Sequence, residues 1–279
     1  MKKGSMFGIC LGTRLALLAL IILIGGQAQV FAGGRKNTSS SESASTNAPV
    51  TIMVAAAASL ENSYVKELIP LFQQKYPWIT VEGTYDSSGK LQTQIEAGLA
   101  ADVFMSAATR QMDALADKNL VSRESIKPLL ENKIVLIKPA GTNPPVSDFQ
   151  TVIQANIIAL GDPASVPAGQ YAKEAFTSLG IWDAVEAKAS FGTNVTEVLN
   201  WVGEGSADVG VVYATDAIST NKVEVIAEAP AGSLAQKVIY PVGIVAASAH
   251  LKEAQLFIDF LASDEGLAVF KNYGFSSNK

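Results

Sequence analysis

Apolar positions along this chain switch repeatedly between a period of two and a period near four, which predicts strands alternating with helices. The nearly unbroken apolar run over 51–56 predicts a buried strand. Leu60, Tyr64, Leu68, Leu71 and Phe72 then recur at helical spacing, predicting a helix over 60–76 that Pro70 should kink or split. Residues 79–85 alternate as a strand, and 91–97 form a short helix closed by Gly98. Further on, strands are expected over 102–106, 134–137, 157–160, 209–213, 223–227 and 238–246. Between and after them come helices over 110–118, 171–179, 195–203, 252–261 and 265–273, with Asn194 as the N-cap of the third. This alternation predicts an α/β fold with mostly parallel sheets covered on both faces. Ligands of such sheets sit beyond the carboxyl ends of strands, where helices begin.

Three segments place a helix start directly after a strand: Ala57-Ala58-Ser59-Leu60, Ser87-Ser88-Gly89-Lys90 and Val166-Pro167-Ala168-Gly169. A helix N-terminus leaves backbone N–H groups unpaired and carries partial positive charge. Several such ends converging on one point hold an anion without any Arg or Lys. Ser87-Ser88-Gly89 adds hydroxyls, and Gly89 permits close approach, but the G-x-x-x-x-G-K-[ST] pattern of a P-loop is missing. Val166-Pro167-Ala168-Gly169 can offer only main-chain N–H. Tyr213 ends a strand just before Asp216 and could turn its phenol into a cleft. Each feature also has a plain structural reading, as cap, turn or half-buried packing.

The chain opens with Lys2, Lys3 and Arg14 ahead of the apolar run 15–24, then small residues at Val30 and Ala32. This predicts a signal peptide over 1–32, cleaved after Ala32, and secretion. The run is short against the ~20 residues of a spanning helix. Cys10 is the only cysteine and precedes the run, a poor position for lipidation, so the mature chain has no thiol or disulfide chemistry. Residues 33–49 are rich in Ser, Thr, Asn and Gly and are expected to be a disordered tether. The formal net charge is −5, and it becomes more negative once the basic leader is removed. That argues against nucleic acid as a partner. It also means that an anion must be attracted locally.

Enzymatic alternatives have little to draw on. Ser59 could serve as a nucleophile in a secreted hydrolase, yet the G-x-S-x-G elbow is absent and His250 is the only histidine. A single histidine, no mature cysteine and no carboxylate cluster argue against a bound metal cation. Trp78, Trp182 and Trp201 are spread singly, which favours core roles.

Several stretches, in order, resemble the periplasmic molybdate-binding proteins of ABC importers. They are Ala56-Ala57-Ala58-Ser59-Leu60, Gln94-Ile95-Glu96-Ala97-Gly98, and Ala101-Asp102-Val103-Phe104-Met105-Ser106-Ala107. Then follow Gly161-Asp162-Pro163, Val166-Pro167-Ala168-Gly169, Tyr171-Ala172-Lys173-Glu174-Ala175, and Gly210-Val211-Val212-Tyr213 with Asp216-Ala217. Tyr240-Pro241-Val242 and Phe270-Lys271-Asn272-Tyr273-Gly274-Phe275 complete the set. The resemblance implies a type II periplasmic-binding-protein fold: two α/β lobes with mixed, mostly parallel sheets and a hinge. Lobe 1 would span 50–134 and 242–279, and lobe 2 would span 135–241. It implies no catalysis and no cofactor.

The ligand would be molybdate or tungstate, the metal contacted only as its oxyanion. The family's donors fall on Ser59 and Ser88 in the first lobe. In the second they fall on Ala168 and Val195 through main-chain N–H, and on Tyr213 through its hydroxyl. The partner would be the membrane permease of an importer, and the chain a monomer. Gly89-Lys90 replaces a more hydroxyl-rich run and would put a positive charge beside the site. Another anion, sulfate or a carboxylate, is the alternative ligand, and an interaction domain with a vestigial cleft is a third reading. None of these donors titrates near neutrality, so affinity should be flat from about pH 6 to 8.5.

Overall fold

The computed structural model describes residues 47–278. The leader, Cys10, the cleavage point after Ala32 and the tether up to residue 46 lie outside the described residues.

Two mixed sheets organise the chain, each forming one lobe with its helices. The first contains β1 (Val50–Ala57), β2 (Ile79–Asp86), β3 (Val103–Met105) and β4 (Lys127–Asn132). The second contains β5 (Ile134–Pro139), β6 (Ile158–Gly161), β7 (Ala189–Gly192), β8 (Val209–Tyr213) and β9 (Val223–Glu228). The chain then returns to the first sheet with β10 (Val238–Ile244) and β11 (Ser276–Ser277). The spatial orders are β11-β4-β10-β3-β1-β2 and β7-β6-β8-β5-β9. β1, β2 and β3 run parallel, as do β6, β7 and β8. The antiparallel pairs are β5 with β8 and β9, β10 with β3 and β4, and β11 with β4.

Most expected strands lie within two residues of their observed bounds. β4, β7 and β11 were not expected: β7 and β11 are short, and β4 carries Lys127, Pro128, Glu131 and Asn132 around Leu129-Leu130 without a clear alternation. β10 joins the first sheet from Val238, paired with Asn132, rather than from Val242. A register shift between Tyr240 and Pro241 lets the strand continue through the proline, as the expected strand over 238–246 requires. Ile134, placed in the first lobe by sequence, pairs with Tyr213 in the second sheet.

Residues 58–75 form one helical run with changing pitch: a 3-10 turn (Ala58–Leu60), α1 (Glu61–Ser63), a π turn (Tyr64–Leu68) and α2 (Ile69–Lys75). Pro70 sits in the first turn of α2, where its missing N–H is tolerated, so the π turn absorbs the expected split and the run continues. Then come α3 (Ser88–Glu96), α4 (Thr109–Asp117), α5 (Pro167–Ser178), α6 (Trp182–Glu186) and α7 (Val195–Gly203). The last are α8 (Ala214–Ala217), α9 (Leu251–Leu261) and α10 (Asp264–Asn272).

β1 shows why the sequence pattern works. Ile52, Val54 and Ala56 are buried with Tyr64, Leu68 and Phe72 on one side of the sheet. Ala55 points the other way, to Leu91, Ile95, Phe104 and Leu115. A strand covered on both faces reads as a continuous apolar run. Around Tyr64 and Phe72, Phe257, Phe260 and Phe270 pack edge-on or tilted, with centroids 4.9–6.1 Å away, and tie the C-terminal helices to the first sheet.

Candidate functional site

The carboxyl ends of the two parallel triplets carry the expected donors. Ala57 is level with Asp86 in the β1/β2 register, and Met105 is level with Ala56. The chain therefore leaves β1, β2 and β3 at one edge, into Ser59, Ser88 and Ala107. Gly161 is level with Gly192 in the second sheet, and Tyr213 ends β8 on the same side. These ends lead into Ala168 and Val195.

Contacts between the sheets show that the two edges face each other. The Gly89 N–H donates to the Ser165 carbonyl at 2.9 Å. The Tyr213 hydroxyl donates to the Ala107 carbonyl at 3.4 Å. The Asn194 amide donates to Asp86 Oδ1 at 3.3 Å, and the Gln111 amide donates to Gln170 Oε1 at 3.1 Å.

Each expected donor has a defined setting. Ser88 opens α3 and is fully buried; its Oγ accepts the Ala107 N–H at 2.9 Å, which leaves its own proton to give. Ser59 lies in the 3-10 turn after β1, and its Oγ is 3.0 Å from the Tyr240 hydroxyl. Ala168 is fully buried behind Pro167 at the start of α5, among the N–H groups that no helix can satisfy internally. Gly169 lets that helix start seat on β6, because a Cβ there would lie 1.9 Å from the Gly161 carbonyl oxygen. Val195 is the first residue of α7, whose cap Asn194 accepts the Glu197 N–H at 3.0 Å. Tyr213 is buried, and its ring meets that of Tyr240 edge-on at 5.5 Å.

One continuous path of contacts thus links four of the five: Ser59 to Tyr240, Tyr240 to Tyr213, Tyr213 through Ala107 to Ser88, and Gly89 through Ser165 to the turn bearing Ala168. Val195 joins through Asn194 and Asp86.

Lys90 is not a free charge beside these donors. It pairs with Asp86 at 3.3 Å, and the same Asp86 oxygen accepts the Ser87 N–H at 2.7 Å. The donors themselves are all neutral. Burial drives the phenols of Tyr213 and Tyr240 well above their ordinary range, so both stay protonated. Neutral hydroxyls and N–H groups of this kind suit a fully deprotonated anion, to which such groups give charge-assisted bonds.

Asp216 changes the expected pH behaviour. Its Oδ2 accepts the Tyr213 N–H at 3.0 Å, and burial lifts its carboxyl to about 7. A group titrating at neutrality therefore supports one of the donors, which the donor list alone did not include.

Tyr240 and Asn132 are the other contributors that sequence reasoning did not assign to the site. Tyr240 lay within a recognised stretch, but an interior strand tyrosine carries no pattern that separates packing from function. His250 lines a groove with Thr51 and Met53, at the start of β1, whereas Ser59 follows its end. The length of β1 puts them roughly 20 Å apart at about 3.3 Å per residue, too far for a Ser-His pair.

Comparison with known proteins finds relatives in both sequence and fold. The family described as bacterial extracellular solute-binding protein matches residues 52–276. A Bacillus subtilis (strain 168) relative named "Putative ABC transporter substrate-binding lipoprotein YvgL" is 40% identical over 99% of both chains. The molybdate-binding protein ModA of Haemophilus influenzae is 35% identical over 82% of this chain and 91% of its own. The solved periplasmic molybdate-binding protein of Azotobacter vinelandii superposes with a TM-score of 0.71 at 21% identity, over 82% of this chain and all of that one.

Proposed function

The chain belongs to the bacterial extracellular solute-binding proteins, and we propose that it captures molybdate or tungstate between its lobes and delivers it to the permease of an ABC importer. The observation that carries this reading is the meeting of Ser59, Ser88, Ala168, Val195 and Tyr213 at two facing sheet edges, with neutral donors only. The 35% identity to a molybdate-binding protein supports the choice of oxyanion.

A tetrahedral dianion presents oxygens in all directions, and here donors reach it from both lobes. Binding therefore draws the lobes together, with the two crossings, after Asn132 and before Val238, as the hinge. Hydrogen phosphate carries an O–H that a donor-only lining cannot accept, which selects against it. Sulfate has the same charge with shorter bonds, so cavity size must exclude it. The chain acts as a carrier, with no reaction at Ser59.

Calorimetric titration of the purified chain with a panel of oxyanions tests the reading. Molybdate and tungstate should bind at or below micromolar. Sulfate and phosphate should bind at least ~100-fold more weakly, about 2.7 kcal/mol. Sulfate binding as tightly as molybdate would replace this reading with a general anion carrier.

A further inference from the structure

We propose that Asn132 and Tyr240 act as positioning residues that fix the Ser59 hydroxyl as a hydrogen-bond donor toward the ligand; this rests on the ligand-donor reading of Ser59.

The direction of the relay follows from which groups can only give. Asn132 Oδ1 accepts the Lys133 N–H at 2.8 Å, which fixes the amide so that its nitrogen faces the other way. That nitrogen can only donate. Its protons go to Thr215 Oγ1 at 2.9 Å and to the Tyr240 hydroxyl oxygen at 3.2 Å. Tyr240 is fully buried, and burial holds its phenol protonated. Its own proton needs an acceptor, because a buried hydroxyl left unpaired is costly. Ser59 Oγ lies 3.0 Å away, and of the two directions this hydroxyl pair allows, the relay takes the one in which Ser59 accepts. With Ser59 Oγ already accepting from Tyr240, the serine proton is free and directed away from the phenol. Ser59 is only partly buried and stands at the start of the helical run, which leaves that proton available to a ligand.

The consequence is selectivity. A serine without this relay can donate or accept, and so can accommodate a ligand oxygen that carries a proton. A serine held as a donor favours a bare oxyanion oxygen. Asn132 and Tyr240 come from β4 and β10, next to the two crossings between sheets, so the relay also ties Ser59 to the hinge strands.

The test is a double-mutant cycle between Tyr240→Phe and Ser59→Ala, in the full chain, read by calorimetry with molybdate and with phosphate. Tyr240→Phe should weaken molybdate about tenfold while phosphate is unchanged or tighter, narrowing the ratio between them by about tenfold. In the Ser59→Ala background it should have no further effect. Asn132→Ala, which leaves the aromatic core intact, should show a smaller loss with the same dependence on Ser59, and covers the case in which Tyr240→Phe folds poorly.

Native protein that binds molybdate while Tyr240→Phe and Asn132→Ala bind it as tightly overturns the relay alone. Equal losses with and without Ser59 also overturn it, since both residues would then act only through packing. Native protein that binds no oxyanion overturns the reading of the site, and the relay with it.

Discussion

The backbone N–H of Gly89 donates to the carbonyl of Ser165 on the opposite lobe, and the approach leaves no room for a side chain: a Cβ at 89 would lie 2.4 Å from that oxygen. Gly89→Ala should therefore block the closed arrangement and spare each lobe. Alanine in the first turn of a helix costs nothing locally. Molybdate affinity should fall by about 1.4 kcal/mol or more, tenfold. Small-angle scattering should show the native chain compacting with saturating molybdate and the variant keeping its ligand-free radius. A variant that compacts fully would mean that this contact does not control closure.

Ser88→Ala should have two separable effects. The hydroxyl accepts the Ala107 N–H inside the protein and, on the reading above, donates to the ligand. Affinity should drop by about 1.5–3 kcal/mol, and the orphaned N–H should cost about 1–3 kcal/mol of stability. Denaturant unfolding without ligand, beside calorimetry, resolves the two. Stability lost with affinity intact would confine Ser88 to a structural role.

Tyr213→Phe keeps the ring against Tyr240 and removes a long 3.4 Å bond to Ala107, so stability should move little. Affinity should still fall by about 1.5–3 kcal/mol, as expected for a hydrogen bond to a charged group. His250→Ala, at the far end of β1, should leave affinity unchanged. Loss of binding in a stably folded His250 variant would redirect attention to a histidine-dependent site.

Asp216 sets the pH dependence. Burial raises its carboxyl to about 7, against an offsetting N–H from Tyr213. Between about pH 4 and 7 the folded chain holds a proton there that the unfolded chain has released. Stability should therefore fall as pH rises through that window, by on the order of 4 kcal/mol, and level off above it. Asp216→Asn keeps an acceptor for Tyr213 and should flatten this slope. A bound dianion nearby makes the ionised form costlier still, so binding near pH 7 should take up protons, and affinity should be weaker at pH 8 than at pH 6. Calorimetry in buffers of different ionisation enthalpy reads the uptake, and zero uptake would show that Asp216 is uncoupled from the ligand.

Much of this was legible in the chain. Strands buried on both faces, such as β1 and β8, are unbroken apolar runs, and Asn194 capped its helix as its side-chain chemistry requires. The helix starts bearing Ser59, Ser88 and Ala168 stood out because a strand ran straight into small polar or flexible residues. What the sequence did not show depends on long-range pairing. β4 and β7 take their conformation from neighbours across the sheet. Lys90 read as a charge near the ligand because its partner Asp86 also belongs to the opposing contact with Asn194. Asn132, Tyr240 and Ser59 are separated by up to 181 positions, and only the folded sheet makes them one hydrogen-bonded path.

The place of β10 has a kinetic consequence. It lies between β3 and β4 in space, yet in sequence it follows every strand of the second sheet. Until residue 244 is present, β4 has no inner neighbour and the first sheet ends at β3. Contacts of such long sequence separation form slowly, because the loop must close before the pairing rewards it. A nascent chain therefore lacks the strand that completes its first sheet until nearly its whole length has been synthesised. The first lobe thus closes only after every strand of the second sheet has been made.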